Sequence, residues 1–77
     1  MAELLAEIAR RLVDEPDAVR VEQVEADDGS LLLRLHVAAD DVGKVIGRQG
    51  RIARALRSVV RASAARRDQR VLLEIVE

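Results

Sequence analysis

The stretch that decides the fold is Asp41–Leu56, DVGKVIGRQGRIARAL. At its centre Gly47-Arg48-Gln49-Gly50 sets two polar residues between two glycines, with an aliphatic pair before and an amphipathic run after. This spacing predicts a short helix over Val42–Ile46, a sharp turn at Gly47, and a longer helix from Arg51 to about Ala65. Asp40 or Asp41 is placed to cap the first of these helices with a carboxylate. The second opens with backbone N–H groups facing the turn, an arrangement suited to an anion such as a phosphate.

On the N-terminal side of this stretch, Leu31–Val37 (LLLRLHV) is the clearest strand. Leu31, Leu33, Leu35 and Val37 share one face, and Leu32, Arg34 and His36 the other, as expected of a central strand covered on one side. Val19–Glu25 alternates in the same way and reaches it through Asp27-Asp28-Gly29-Ser30, a hairpin turn. Val71–Val76 reads as a third strand. The crossover between the second and third strands contains both helices, long enough for these strands to run parallel. Upstream, Leu4, Leu5, Ile8, Ala9 and Leu12 recur at helical spacing, so residues 2–13 form an amphipathic helix that ends before Pro16. The order is α-β-β-α-α-β: an α+β fold with three helices on one face of a mixed three-stranded sheet, as one domain over 1–77.

On the long helix Ile52, Ala55, Leu56, Val59 and Ser63 fall on one side, which is read as the core face. Arg54, Arg57 and Arg61 fall within about 60° of each other on the opposite side and read as a solvated surface. Val60 flanks the apolar face and is a candidate partner contact.

Seventy-seven residues without Phe, Tyr, Trp or Cys must build their core from Leu, Val, Ile and Ala. Such a core supports only about 3–5 kcal/mol of net stability. No disulfide or thiolate site is possible, and no apolar run approaches the ~18 residues of a membrane span. A cytoplasmic protein is expected, with no membrane association and no cofactor.

The net charge of −1 conceals a division. Residues 1–43 carry 4 Arg against 11 Asp/Glu, a balance of −7, whereas 44–70 carry 9 Lys/Arg against Asp68 alone, a balance of +8. A polyanion responds to that local field and not to the overall pI near 5.8. The chain uses 12 Arg and one Lys throughout, so the choice of Arg in the basic block carries no information about phosphate geometry.

Catalysis finds no support. His36 is the only histidine and has no serine, cysteine or carboxylate at a motif spacing, so it reads as structural or solvent-facing. One histidine and no cysteine are too few for a structural zinc site. Gly43, Gly47 and Gly50 match neither the dinucleotide nor the Walker spacing.

With Gly-x-x-Gly joining two helices inside this strand order, the chain resembles the KH RNA-binding domain, in its prokaryotic type II form. The segments LVDEPDAVRV, VGKVIGRQGRIARALR and RVLLEIVE are similar to those of the small stand-alone bacterial KH proteins of the KhpA family, and the resemblance covers essentially the whole chain. It implies single-stranded RNA as the partner, with the loop clamping about four nucleotides by their backbone. Gly47 and Gly50 would let that backbone approach, while Arg48, Gln49 and Arg51, with Lys44 one turn earlier, would donate to phosphates. Val42, Val45, Ile46 and parts of the second strand are the candidates for an aliphatic base groove. The resemblance further implies post-transcriptional regulation or RNA-chaperone activity, a role in cell shape, and a homodimer or a heterodimer with a larger KH-containing protein of the KhpB (Jag) group. The alternative is a dimerisation module in which RNA binding is incidental.

Overall fold

The computed structural model describes residues 1–77. Helix α1 spans Ala2–Leu12, strand β1 Arg20–Glu25, strand β2 Leu31–His36, helix α2 Val42–Ile46, helix α3 Arg51–Ala65 and strand β3 Val71–Val76. The sheet order is β1-β2-β3. β1 and β2 pair antiparallel with Arg20 opposite His36 and Glu25 opposite Leu31; β2 and β3 pair parallel with Leu31 opposite Val71 and His36 opposite Val76. The expected mixed sheet with its helices on one face is therefore the observed fold.

Local chemistry sets the boundaries. α1 stops at Leu12 because Val13 is extended, and Pro16 opens a short 3-10 turn, Pro16–Ala18, whose first positions tolerate a missing N–H. β1 begins at Arg20, one residue later than its alternation suggests, although Val19 is itself buried. The hairpin is closed by the Ala26 N–H donating to Ser30 O at 2.8 Å, and by the Ser30 amide and hydroxyl donating to Asp28 Oδ1 at 2.9 and 2.6 Å. These bonds hold the Asp28 carboxyl below its ordinary pKa, the Ser30 hydroxyl contributing most.

Leu31, Leu33 and Leu35, with Val71 and Leu73, form the floor of one hydrophobic core. Leu5, Ala6 and Ala9 of α1, Val45 of α2, and Leu56, Val60 and Ala64 of α3 close it from above. β3 lies under α3 and β1 under α1. The opposite sheet face is open: its rows are Val24-Leu32-Leu72, Glu22-Arg34-Glu74 and Arg20-His36-Val76. There His36 Nε2 meets Glu22 Oε1 at 2.6 Å, which lowers the Glu22 pKa. The only histidine is thus part of a cross-strand pair on the outer face.

Two expectations are corrected. The buried side of α3 is Ala53, Leu56, Val60 and Ala64, so Val60 is 3% exposed and Val59 41%. Bulk favours a face centred on Ile52 and Val59, but β2 and β3 already supply leucines to the core, and alanines let α3 sit close above them. Val59 and Ser63 consequently look sideways toward α1, and Ile52 packs against Gly47.

Asp41 does not cap α2. It lies at the end of a 3-10 turn, Ala39–Asp41, makes no side-chain bond to the backbone N–H groups of the helix, and is 2% exposed. Its carboxylate accepts the N–H groups of Asp14 (3.2 Å) and Glu15 (3.0 Å), 27 and 26 residues away, and so pins the α1–β1 connection to the start of α2. A buried charge needs such partners, and no buried side-chain polar atom here lacks one.

Candidate nucleic-acid interface

The end of α2 and the start of α3 meet in a reversal of four residues. Gly47 takes φ +77°, ψ 174°, a region essentially restricted to glycine, and its N–H closes α2 on Gly43 O at 2.9 Å. Arg48–Gly50 then form a 3-10 turn in which Gln49 has φ +57° and Gly50 φ +73°. Three of the four loop residues therefore hold positive φ. The two glycines have different surroundings: a Cβ on Gly47 would lie 2.7 Å from Ile52 Cγ1, whereas one on Gly50 would meet nothing within 4 Å. Gly47 is needed for the loop to close on α3, and open space lies beside Gly50.

The chain neighbours of Gly50 carry donors. Arg48, Gln49 and Arg51 are exposed. Gly50 occupies the N-cap of α3 and has no side chain to offer, so no side-chain oxygen caps the first turn. The Gln49 carbonyl accepts from Arg54 Nη2 at 2.8 Å. This bond ties the tip of the loop to α3, and it joins to the site a residue whose spacing alone reads as remote surface. The signal that finds it is its distance of five residues from a carbonyl turned outward by positive φ.

Lys44 is placed differently from expectation. Its ammonium pairs with the Asp14 carboxylate and lies 3.5 Å from Asp41 Oδ1. Asp14, and then Asp41, raise its pKa, so it is firmly charged but already partnered. Burial disfavours the charge on Asp41, yet the Asp14 and Glu15 amides and Lys44 outweigh it and hold this carboxyl below its ordinary range. Lys44 thus belongs first to the lock between α2 and the α1–β1 connection.

The aliphatic residues also divide. Ile46 is 38% exposed and Val42 half-buried, both available beside the loop, but Val45 is fully buried in the core and cannot touch a ligand. β2 does not line a groove here either. Its apolar face lies beneath the helices and its other face is on the far side of the sheet, while α2 packs on α3, β3 and α1. No group of three or more His, Cys, Asp or Glu residues is arranged to hold a metal ion, and no helix is long and apolar enough to cross a membrane.

Comparison with known proteins agrees with this geometry. The family described as KhpA/KhpB, KH domain, matches residues 2–75. The chain is 50% identical over 76 residues to the RNA-binding protein KhpA of Clostridium acetobutylicum, covering 99% of this chain and 100% of that one. It is 55% identical over 78 residues to RNA-binding protein KhpA of Halalkalibacterium halodurans, covering both completely. Among solved structures, Era in complex with MgGDPNP and nucleotides 1506–1542 of 16S ribosomal RNA superposes with a TM-score of 0.60 at 21% identity. That match covers 97% of this chain and 28% of Era, and it is a likeness of fold. By sequence along its length and by the fold around its Gly-x-x-Gly turn, the chain belongs to the KhpA/KhpB family of KH domains.

Proposed function

We propose that this chain is a single KH domain that binds single-stranded RNA without catalysis, through the loop Gly47–Gly50. The observation that carries this reading is the exposed Arg48-Gln49 tip beside open space at Gly50, at the head of a helix that no side chain caps. A phosphate there would meet the Arg48, Gln49 and Arg51 side chains and the positive end of α3. The names of the relatives, RNA-binding protein KhpA, support the same ligand. Ile46 and Val42 would meet a base by apolar contact, since the chain has no aromatic ring to stack on one. Backbone contacts of this kind position a strand but read little sequence, which suits a cytoplasmic RNA chaperone or post-transcriptional regulator acting on many RNAs.

A second reading, association with another copy or with a larger KH-containing protein, has an observation of its own. Leu4 (51% exposed) and Val59 (41% exposed) stand with Ile8 along an apolar groove between α1 and α3. The groove is separate from the loop, so the two readings are compatible.

The test is binding of labelled oligo(U) by anisotropy. Arg48→Asp combined with Gln49→Asp abolishes binding while circular dichroism and sedimentation are unchanged. Unchanged RNA affinity in this variant would make the loop the wrong site.

A further inference from the structure

Most of the basic residues of α3 lie outside the loop. Over its 15 residues, Arg51–Ala65, the helix contains no carboxylate. Arg54, Arg57 and Arg61 stand one turn apart, within about 60° of one another and over about 10 Å of helix. Because Val59 and Ser63 look toward α1, the three arginines occupy the flank of α3 remote from it. They are about 90° from the buried side, which agrees with Arg57 being half-buried while Arg54 and Arg61 are exposed.

None of the three is ion-paired. Arg10, Arg11, Arg34, His36 and Lys44 each have a carboxylate within 4.0 Å, but Arg48, Arg51, Arg54, Arg57 and Arg61 have none. In a chain with 14 acidic residues this leaves a continuous positive strip that begins at the loop, where Arg54 is bonded to Gln49. The residues beside the arginines on the solvent side of this flank are Ser58 and Ala65, both exposed. An apolar or aromatic anchor of the kind that centres a protein interface is absent from it, whereas spaced guanidinium groups fit the repeating charge of a phosphate backbone.

We infer that Arg54, Arg57 and Arg61 form a second phosphate track, which receives the RNA strand where it leaves the Gly47–Gly50 loop. The inference rests on the RNA reading above and extends the footprint beyond the about four nucleotides that such a loop holds. Arg54 links the two parts: one nitrogen fixes the Gln49 carbonyl and the remaining donors of its guanidinium are free for a phosphate.

The experiment compares labelled oligo(U) of 4 and 12 nucleotides, titrated over a salt series, on the parent chain and on Arg57→Gln/Arg61→Gln. Each phosphate contact to a single strand contributes about 0.7 to the slope of log K against log salt, or about fivefold in affinity near 0.1 M. The double variant is expected to bind the 12-mer about 5- to 25-fold more weakly with a slope reduced by about 0.7 to 1.4, and to bind the 4-mer as the parent does. Arg57→Lys/Arg61→Lys restores the 12-mer, because the track needs charge and not a fork. Should the Gln pair lose its circular dichroism signature, Arg61→Gln alone, at an exposed position, is expected to reduce the slope by about 0.7. An unchanged 12-mer slope, as when the stripe serves an acidic protein instead, overturns the track. So does an equal loss for both lengths, or failure of Lys to restore. A parent chain that binds neither length removes the loop reading, and the track with it; where the parent binds the 4-mer, the loop reading stands and a failure on the 12-mer counts against the track alone.

Discussion

The side chain that Gly47 lacks is replaced by that of Ile52: Ile52 Cγ1 lies 2.7 Å from where a Cβ on Gly47 would stand. The first glycine of the loop is thus a packing residue as well as a hinge, since its φ of +77° with ψ of 174° is also closed to other side chains. Gly50, at φ +73°, has the second restriction in milder form and none of the first. Gly47→Ala is expected to cost about 2–4 kcal/mol, from backbone strain plus overlap, and Gly50→Ala about 1–2. Against a total of about 3–5 kcal/mol the first approaches global unfolding. Urea denaturation measures both, and Ile52→Ala should recover part of the loss in the Gly47→Ala background, a coupling that independent sites lack. Equal costs at the two glycines would refute the packing role of Ile52.

These glycines also mark where legibility from sequence ends. The strand order follows from the alternation of Leu31–Val37 and the length of the crossover, and the bounds of α2 follow from Gly47, because these depend on neighbours in the chain. Facing is harder. Five residues of α2 are too few to define an apolar side, so Val45 and Ile46 look alike in sequence, yet one is core and the other exposed. On α3 the larger side chains point to Val59, while the sheet selects Ala53 and Ala64 for close approach. Lys44 is legible as a cation near the loop, but its partner Asp14 is 30 residues away. Only the fold brings that pair together.

The same long-range chemistry governs acid sensitivity. Asp41 is held ionised by the Asp14 and Glu15 amides and by Lys44, with its pKa below the ordinary 3.8. The native state therefore binds fewer protons than the unfolded chain in that range. The resulting stability is complete above the ordinary carboxylate pKa and is lost as pH falls through it toward the lower native value. Asp41→Asn should be less stable near pH 7, and should lose less on going to about pH 3 than the parent does. Glu22 and Asp28, also depressed, retain their share of the acid loss in both proteins. Denaturation midpoints at the two pH values decide the matter; parallel losses would show that the Asp41 charge contributes nothing.

The turn that follows α3 contains a residue poorly matched to its backbone. Asp68 adopts φ +53°, and the next amide, Gln69 N–H, returns to Ala64 O at 3.0 Å, the six-residue closure that usually has glycine at the left-handed position. Asp68→Gly is expected to stabilise the fold by about 0.5–1 kcal/mol, raising Tm by about 2–8 °C for a chain of this size. It also removes the only acid between Lys44 and Arg70. A lowered Tm would mean that the Asp68 side chain contributes more than its conformation costs.

Val59 and Val60 are adjacent and chemically identical, and the fold gives them opposite roles. Val60 fills the core at 3% exposure; Val59, at 41%, lines the α1–α3 groove with Leu4. Val60→Ala removes two buried methyl groups and leaves a small cavity, for an expected cost of about 2 kcal/mol. Val59→Ala should change stability by less than about 0.5 kcal/mol. Val59→Glu extends the contrast to association, because a carboxylate on that apolar strip is tolerated in a solvated monomer and disfavoured in a buried contact. If the groove joins two chains, Val59→Glu shifts sedimentation toward the monomer at unchanged helicity, and oligo(U) is bound as by the parent chain. A parent chain that sediments as a monomer, or a variant that associates as the parent does, would place any partner contact elsewhere than on Val59.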